Sequence, residues 1–152
     1  MKDSKEALPL SEAVTHLLEE CRMVLPGIQT LFGFQLIAVF NQTFRENLSA
    51  PEKYLHLAAI GLIAIAVALV MAPAALHRQT SPQAATQNFL TIASRLLLFS
   101  MFPLLLGICL DFYLIARLIL NRGLMSLLLA AALLLIFATL WFVLPRTRIV
   151  QS

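Results

Sequence analysis

The segment Tyr54–Leu76 reads YLHLAAIGLIAIAVALVMAPAAL and contains no Asp, Glu, Lys or Arg. A helix needs about 20 apolar residues to cross roughly 30 Å of hydrocarbon, and this segment supplies them. Three other segments match or approach that length: Met23–Phe44, Leu96–Leu110 with its continuation to Ala116, and Leu124–Leu144. The first and last of these also lack charged side chains, whereas Arg45, Glu46, Glu52 and Lys53 crowd into one connection. The chain therefore reads as an all-α membrane protein with four transmembrane helices, at about 24–44, 54–76, 95–116 and 124–144.

Composition supports that reading. Hydrophobic residues make up 60% of the chain and charged residues 12%, against about 25% charged in soluble domains, so a soluble bundle is not the expected class. In 152 residues, four spans leave room for one membrane domain, 23–146, preceded by an N-terminal segment 1–22 and followed by a tail 147–152. The formal net charge of +3 comes from Lys and Arg at span ends, where they anchor and orient helices; nucleic acid is not an expected partner. Lys2, Lys5, Arg22, Arg78, Arg95, Arg146 and Arg148 fall on one side, and Arg45, Lys53, Arg117 and Arg122 on the other. Seven against four predicts both termini in the cytoplasm; in a bacterium, with the chain in the bacterial inner membrane, this places residues 77–95 inside and residues 45–53 and 117–123 outside. The opening MKDSKEALPLSEAVTHLLEECR mixes acids with bases and has no apolar core, so the first span is expected to be its own insertion signal. Cys21 and Cys109 lie in or beside apolar helical segments and are expected to be free, buried thiols.

Within the N-terminal segment, Leu10, Val14, Leu17, Leu18 and Cys21 recur at helical spacing, opposite Glu12, Thr15, His16 and Glu19. This predicts a short amphipathic helix of about three turns, capped by Ser11 and separated from the first span by Pro26 and Gly27. Its acidic face does not suit anionic lipid. The expectation is docking on the protein's own basic rim, with Glu19, Glu20 and Arg22 near His77, Arg78 and Arg95, and with Arg146 and Arg148 beside them.

Polar residues in the spans are the candidate functional positions. Gln29, Thr30, Gln35, Asn41 and Gln42 place too many hydrogen-bonding groups in the first span for a helix facing only lipid. They line a polar pathway or bond helices to one another. In the second span, Ile60, Ala64, Ala68 and Ala72 form a row at every fourth position, expected to let a neighbouring backbone approach. Asp111 is the single acid within an apolar segment, and Arg117, His56, Lys53 and Arg45 are its reachable partners. The fourth span is nearly featureless and is expected to face lipid.

No phosphate loop, HExxH or nucleophile triad is present, and His16, His56 and His77 are scattered, so neither an enzyme, a metal nor a cofactor is expected. The strings Glu20-Cys21-Arg22, Leu25-Pro26-Gly27-Ile28-Gln29, Leu31 to Leu36 and Ala72 to Arg78, together with Asp111, resemble an uncharacterised family of small bacterial four-helix membrane proteins, a domain of unknown function, over roughly Ser11 to Arg146. The resemblance implies the topology and no activity. Two functions fit these residues. One is a homo-oligomeric ion channel or small-solute transporter. The other is a non-catalytic scaffold or accessory subunit of a larger membrane complex.

Overall fold

A computed structural model describes residues 9–79 and 87–145. Lys2, Lys5, Arg146, Arg148 and most of the 79–87 connection lie outside the described residues. The chain folds into α1 (Leu10–Phe40), a short α2 (Gln42–Asn47), α3 (Ala50–Gln79), α4 (Gln87–Leu120) and α5 (Gly123–Ala138), which runs on into a π-helical turn at Thr139–Val143. Four of the helices are long and apolar enough to cross a membrane, and at most 28% of any apolar window is buried inside the molecule. The remaining apolar surface has to meet lipid, so this is a multi-pass membrane protein.

The separate N-terminal helix does not exist in this structure. α1 continues through Pro26 without a break. Its buried residues Val14, Leu17, Cys21, Ile28 and Gln35 fall at spacings of three, four and seven, a single stripe that stays in register across the proline. Leu17, Cys21 and Ile28 enter one apolar cluster with Ile63, Val70 and Ala93. Packing along that stripe outweighs the lost hydrogen bond, and both Pro26 and Arg22, whose carbonyl is left without its donor, are exposed. The helix starts at Pro9, whose carbonyl accepts from Glu12 N–H (3.0 Å) and Ala13 N–H (3.1 Å). Ser11 is therefore a first-turn residue and not the cap. α1 ends at Phe40 because Asn41 turns extended (φ −72°, ψ 129°), so the first span closes before its predicted limit at residue 44.

α3 begins with the glutamate half of a capping box, Glu52 reaching back to Ser49. Ser49 N–H and Oγ–H both donate to Glu52 Oε2, at 2.8 and 2.6 Å, and the Ser49 carbonyl accepts from Lys53 N–H at 3.1 Å. Its buried residues are His56, Ala59, Ile63, Ala66, Val70 and Pro73, alternating steps of three and four. That stripe replaces the expected row: Ala64 and Ala68 are exposed, and Ile60 and Ala72 half-buried. A step of four residues turns 40° past a full helical circle, so such a row winds off the contact face, whereas alternating threes and fours hold it there. Close approach is made by Ala59, Ala66 and Ala93, all at 0% exposure, and by Gly107 on α4.

α1, α3 and α4 form the central bundle, with α3 and α4 sharing the most extensive interface. α5 packs on the outside of α4 through Ser126 and Ala130, its only buried residues. Phe142, in the π-helical turn, stacks on Phe102 of α4 with ring centroids 4.5 Å apart. Cys21 and Cys109 are buried and unlinked.

Candidate functional site

Three polar side chains from three helices meet inside the bundle near the end that carries α2. Gln35 lies on the buried stripe of α1, His56 in the second turn of α3 behind the capping box, and Asp111 on α4. His56 Nδ1 is 3.1 Å from Asp111 Oδ1, and His56 Nε2 is 3.1 Å from the Gln35 carbonyl. Gln35 Nε2 donates to Asp111 Oδ2, which occupies the second carboxylate oxygen. The side chains of His56 and Asp111 are 7% and 13% exposed. Phe44 of α2 closes the cluster with its ring against the imidazole, centroids 4.7 Å apart at 62°.

The bonding fixes where hydrogens can be. A backbone carbonyl only accepts, so His56 Nε2 carries a hydrogen and donates it to Gln35. Nδ1 and the facing carboxylate oxygen then bond only if one proton lies between them, on either the imidazole or the carboxyl group. Without that proton, two lone pairs would face each other at 3.1 Å. The cluster is thus built to hold one exchangeable proton among apolar helices. One acceptor is left over: Gln35 Oε1 is buried and has no partner among the described residues.

Two neighbouring cavities lie at this end of the bundle, the first against the cluster and the second beyond it. One, of about 180 Å³, has Gln35, His56 and Asp111 in its wall and is otherwise apolar. The other, of about 420 Å³, lies toward the α2 end and is edged by Asn47, Glu52, Arg117 and Asn121. Leu48 and Leu118 border both cavities, so two leucines stand between the polar end of the molecule and the cluster. Around the second cavity, Arg117 Nε is 3.5 Å from Glu52 Oε1 and Arg117 Nη1 donates to Asn121 Oδ1 at 3.1 Å. Asn121, at φ 50°, ends α4 in the left-handed conformation that asparagine tolerates.

Of the polar residues singled out in the first span, only Gln35 enters the interior. Gln29 and Thr30 are exposed, and the Thr30 hydroxyl donates to the Pro26 carbonyl at 2.8 Å. Asn41 sits in the break after α1, and Gln42 donates to Glu46 within α2 at 2.8 Å. Thr30 and Asn41 therefore do not join Gln35 in one lining inside a single chain. At the opposite end, Glu19 pairs with His16 at 3.6 Å on its own helix, and Glu20 edges a groove with Ser94 and Trp141. Arg22, Arg78 and Arg95 are exposed, and His77 tilts against Phe89 at 5.6 Å. Among the described residues no ion pair joins Glu19 or Glu20 to Arg78, Arg95 or His77; the segment is held by its apolar stripe instead. Sequence reasoning gave His56 as one of four reachable partners for Asp111 without placing it in the site. It missed the Glu52–Arg117 pair, although Ser49-Ala50-Pro51-Glu52 is a legible capping box that fixes where α3 begins.

Four membrane-spanning helices, three of them meeting at one buried Gln–His–Asp cluster, define a class of small integral membrane protein. The chain belongs to the family of unknown function DUF6328, whose pattern it matches over residues 9–145. No curated protein and no solved structure matches it.

Proposed function

We propose that this protein is a non-enzymatic transporter of a small ion or solute, with the Gln35–His56–Asp111 cluster as its proton-holding element. The observation that carries the reading is the cluster itself: an ionisable pair buried among lipid-facing helices, where such groups are expensive and usually functional. The cavity edged by Glu52 and Arg117 gives it an approach from the α2 end, closed by Leu48 and Leu118. Toward the other end, Ala59, Ile63, Ala66 and Val70 are packed at 0–1% exposure, so no route runs down the bundle of one chain. A complete path then needs movement of α1 against α3 and α4, or the interface of a homo-oligomer. The Lys and Arg distribution supports both termini in the cytoplasm and the cluster near the outer face, in what we take to be a bacterial inner membrane.

The sealed interior also favours a second reading, a membrane scaffold or accessory subunit in which the cluster only bonds three helices together. Proteoliposomes with an imposed pH gradient separate the two. The transport reading expects proton-coupled flux that disappears in Asp111→Asn and His56→Gln while both variants keep their helical content and oligomeric state. Absence of flux from the folded wild-type protein under gradients of either sign, or flux untouched by both changes, leaves the scaffold. An impermeant maleimide applied to intact cells should reach Asn47→Cys; failure to do so reverses the orientation.

A further inference from the structure

The cavity beside the cluster lies between α1 and α4, with Phe44 and Leu48 over it. Its volume of about 180 Å³ slightly exceeds the roughly 150 Å³ of an engineered apolar cavity that holds benzene, so it accommodates one substituted ring. Phe34 and Ile115 in its wall are 67% and 56% exposed on the lipid-facing surface, which opens it sideways to the bilayer and not only to water.

Polar accounting then selects the occupant. Both oxygens of Asp111, both ring nitrogens of His56 and Nε2 of Gln35 have partners. Gln35 Oε1 has none, although the residue is only 4% exposed. Turning the amide over does not cure this, because it would set an oxygen against the Asp111 carboxylate. Gln35 lines the cavity but its unmet Oε1 lies just behind the wall; it is an acceptor, and it calls for a donor. An anion would enter an otherwise apolar wall beside a pair with no net positive charge to meet it, and a molecule with acceptors alone leaves Oε1 as it was.

We infer that this cavity binds a lipophilic molecule about one ring in size that carries a single O–H or N–H donor, taken from the bilayer and donated to Gln35 Oε1. A partial turn about the terminal torsion of Gln35, a soft coordinate, brings Oε1 to the donor and lengthens the Nε2 bond to Asp111. The apolar body fills the space between Leu31, Phe34, Leu114 and Ile115. The inference is independent of transport, because binding is scored at equilibrium with no gradient. A protein that binds the probe and moves nothing refutes only the transport reading.

The test uses the full chain in lipid nanodiscs and fluorine NMR with two probes of nearly equal shape, para-trifluoromethylphenol and trifluoromethylbenzene. The expected result is a saturable bound resonance for the phenol, at least about tenfold tighter than for the benzene. Gln35→Leu should bring the two affinities within about twofold by removing the acceptor, and Ala38→Leu, which fills the cavity, should abolish the bound resonance of both. The wild-type comparison decides even if a variant does not fold. Absence of a saturable signal, equal affinities of the two probes on wild type, or binding unchanged in both folded variants overturns the inference.

Discussion

Gly107 sets how near α3 and α4 come. A Cβ at this position would stand 2.6 Å from Ile63 Cδ1, 3.0 Å from Ile63 Cγ1 and 3.3 Å from the Ala59 carbonyl oxygen. Ile63 is fully buried, so its Cδ1 can yield only by changing rotamer within the packed bundle, and the Ala59 carbonyl is backbone and cannot yield at all without moving α3. Gly107→Ala should therefore destabilise the folded protein by about 1–3 kcal/mol in a reversible detergent unfolding titration. Ile63→Val removes the nearest methyl group, so combining it with Gly107→Ala should cost less than the two changes added together. Strict additivity would mean the contact does not limit the approach. The cluster shows what single residues disclose and what they do not. Gln35 and Asp111 each stand out as polar groups in apolar helices, which is visible in one dimension. That Oδ2 of one meets Nε2 of the other depends on the relative height and rotation of α1 and α4, and nothing local encodes those. His56 is two residues into an apolar stretch and looks like an interfacial histidine until α3 is rotated by its stripe.

α1 is the element where a sound local rule met a stronger tertiary one. In water, Pro26 followed by Gly27 would end a helix. Here Val14, Leu17 and Cys21 on one side of the proline and Ile28 and Gln35 on the other belong to the same buried face, so breaking the helix would lose that register. The signal was in the sequence, because the stripe can be traced through Pro26 at spacings of three, four and seven. It is hidden by stopping the period at Cys21. Pro26→Ala should restore the missing donor to the Arg22 carbonyl and slow backbone hydrogen exchange over residues 22–27, with no change in the rest of α1. Faster exchange there would show that the proline steadies this turn instead of costing it a hydrogen bond. The exposed alanines of α3 make the complementary point: small residues at every fourth position mark close packing only when they coincide with the contact stripe, and Ala64 and Ala68 do not.

At the scale of the molecule, span number and approximate span positions were legible because the bilayer imposes length and apolarity directly on the sequence. The arrangement of the spans was not, because lipid and protein interior are equally apolar and hydropathy does not tell them apart. α5 illustrates this: it is as hydrophobic as any span, yet only Ser126 and Ala130 are buried, and its extensive contacts are with α4 alone. A consequence concerns biogenesis. Gln35, His56 and Asp111 have all been synthesised by the time α4 ends at Leu120, and none of their hydrogen bonds involves α5. A chain stopped after Arg122 should therefore still assemble the cluster, seen as a His56 imidazole NMR signature matching that of the full-length protein; a solvent-like signature would make α5 a requirement. On this view, a chain entering the membrane N-terminus first delivers every residue of the site before α5 arrives.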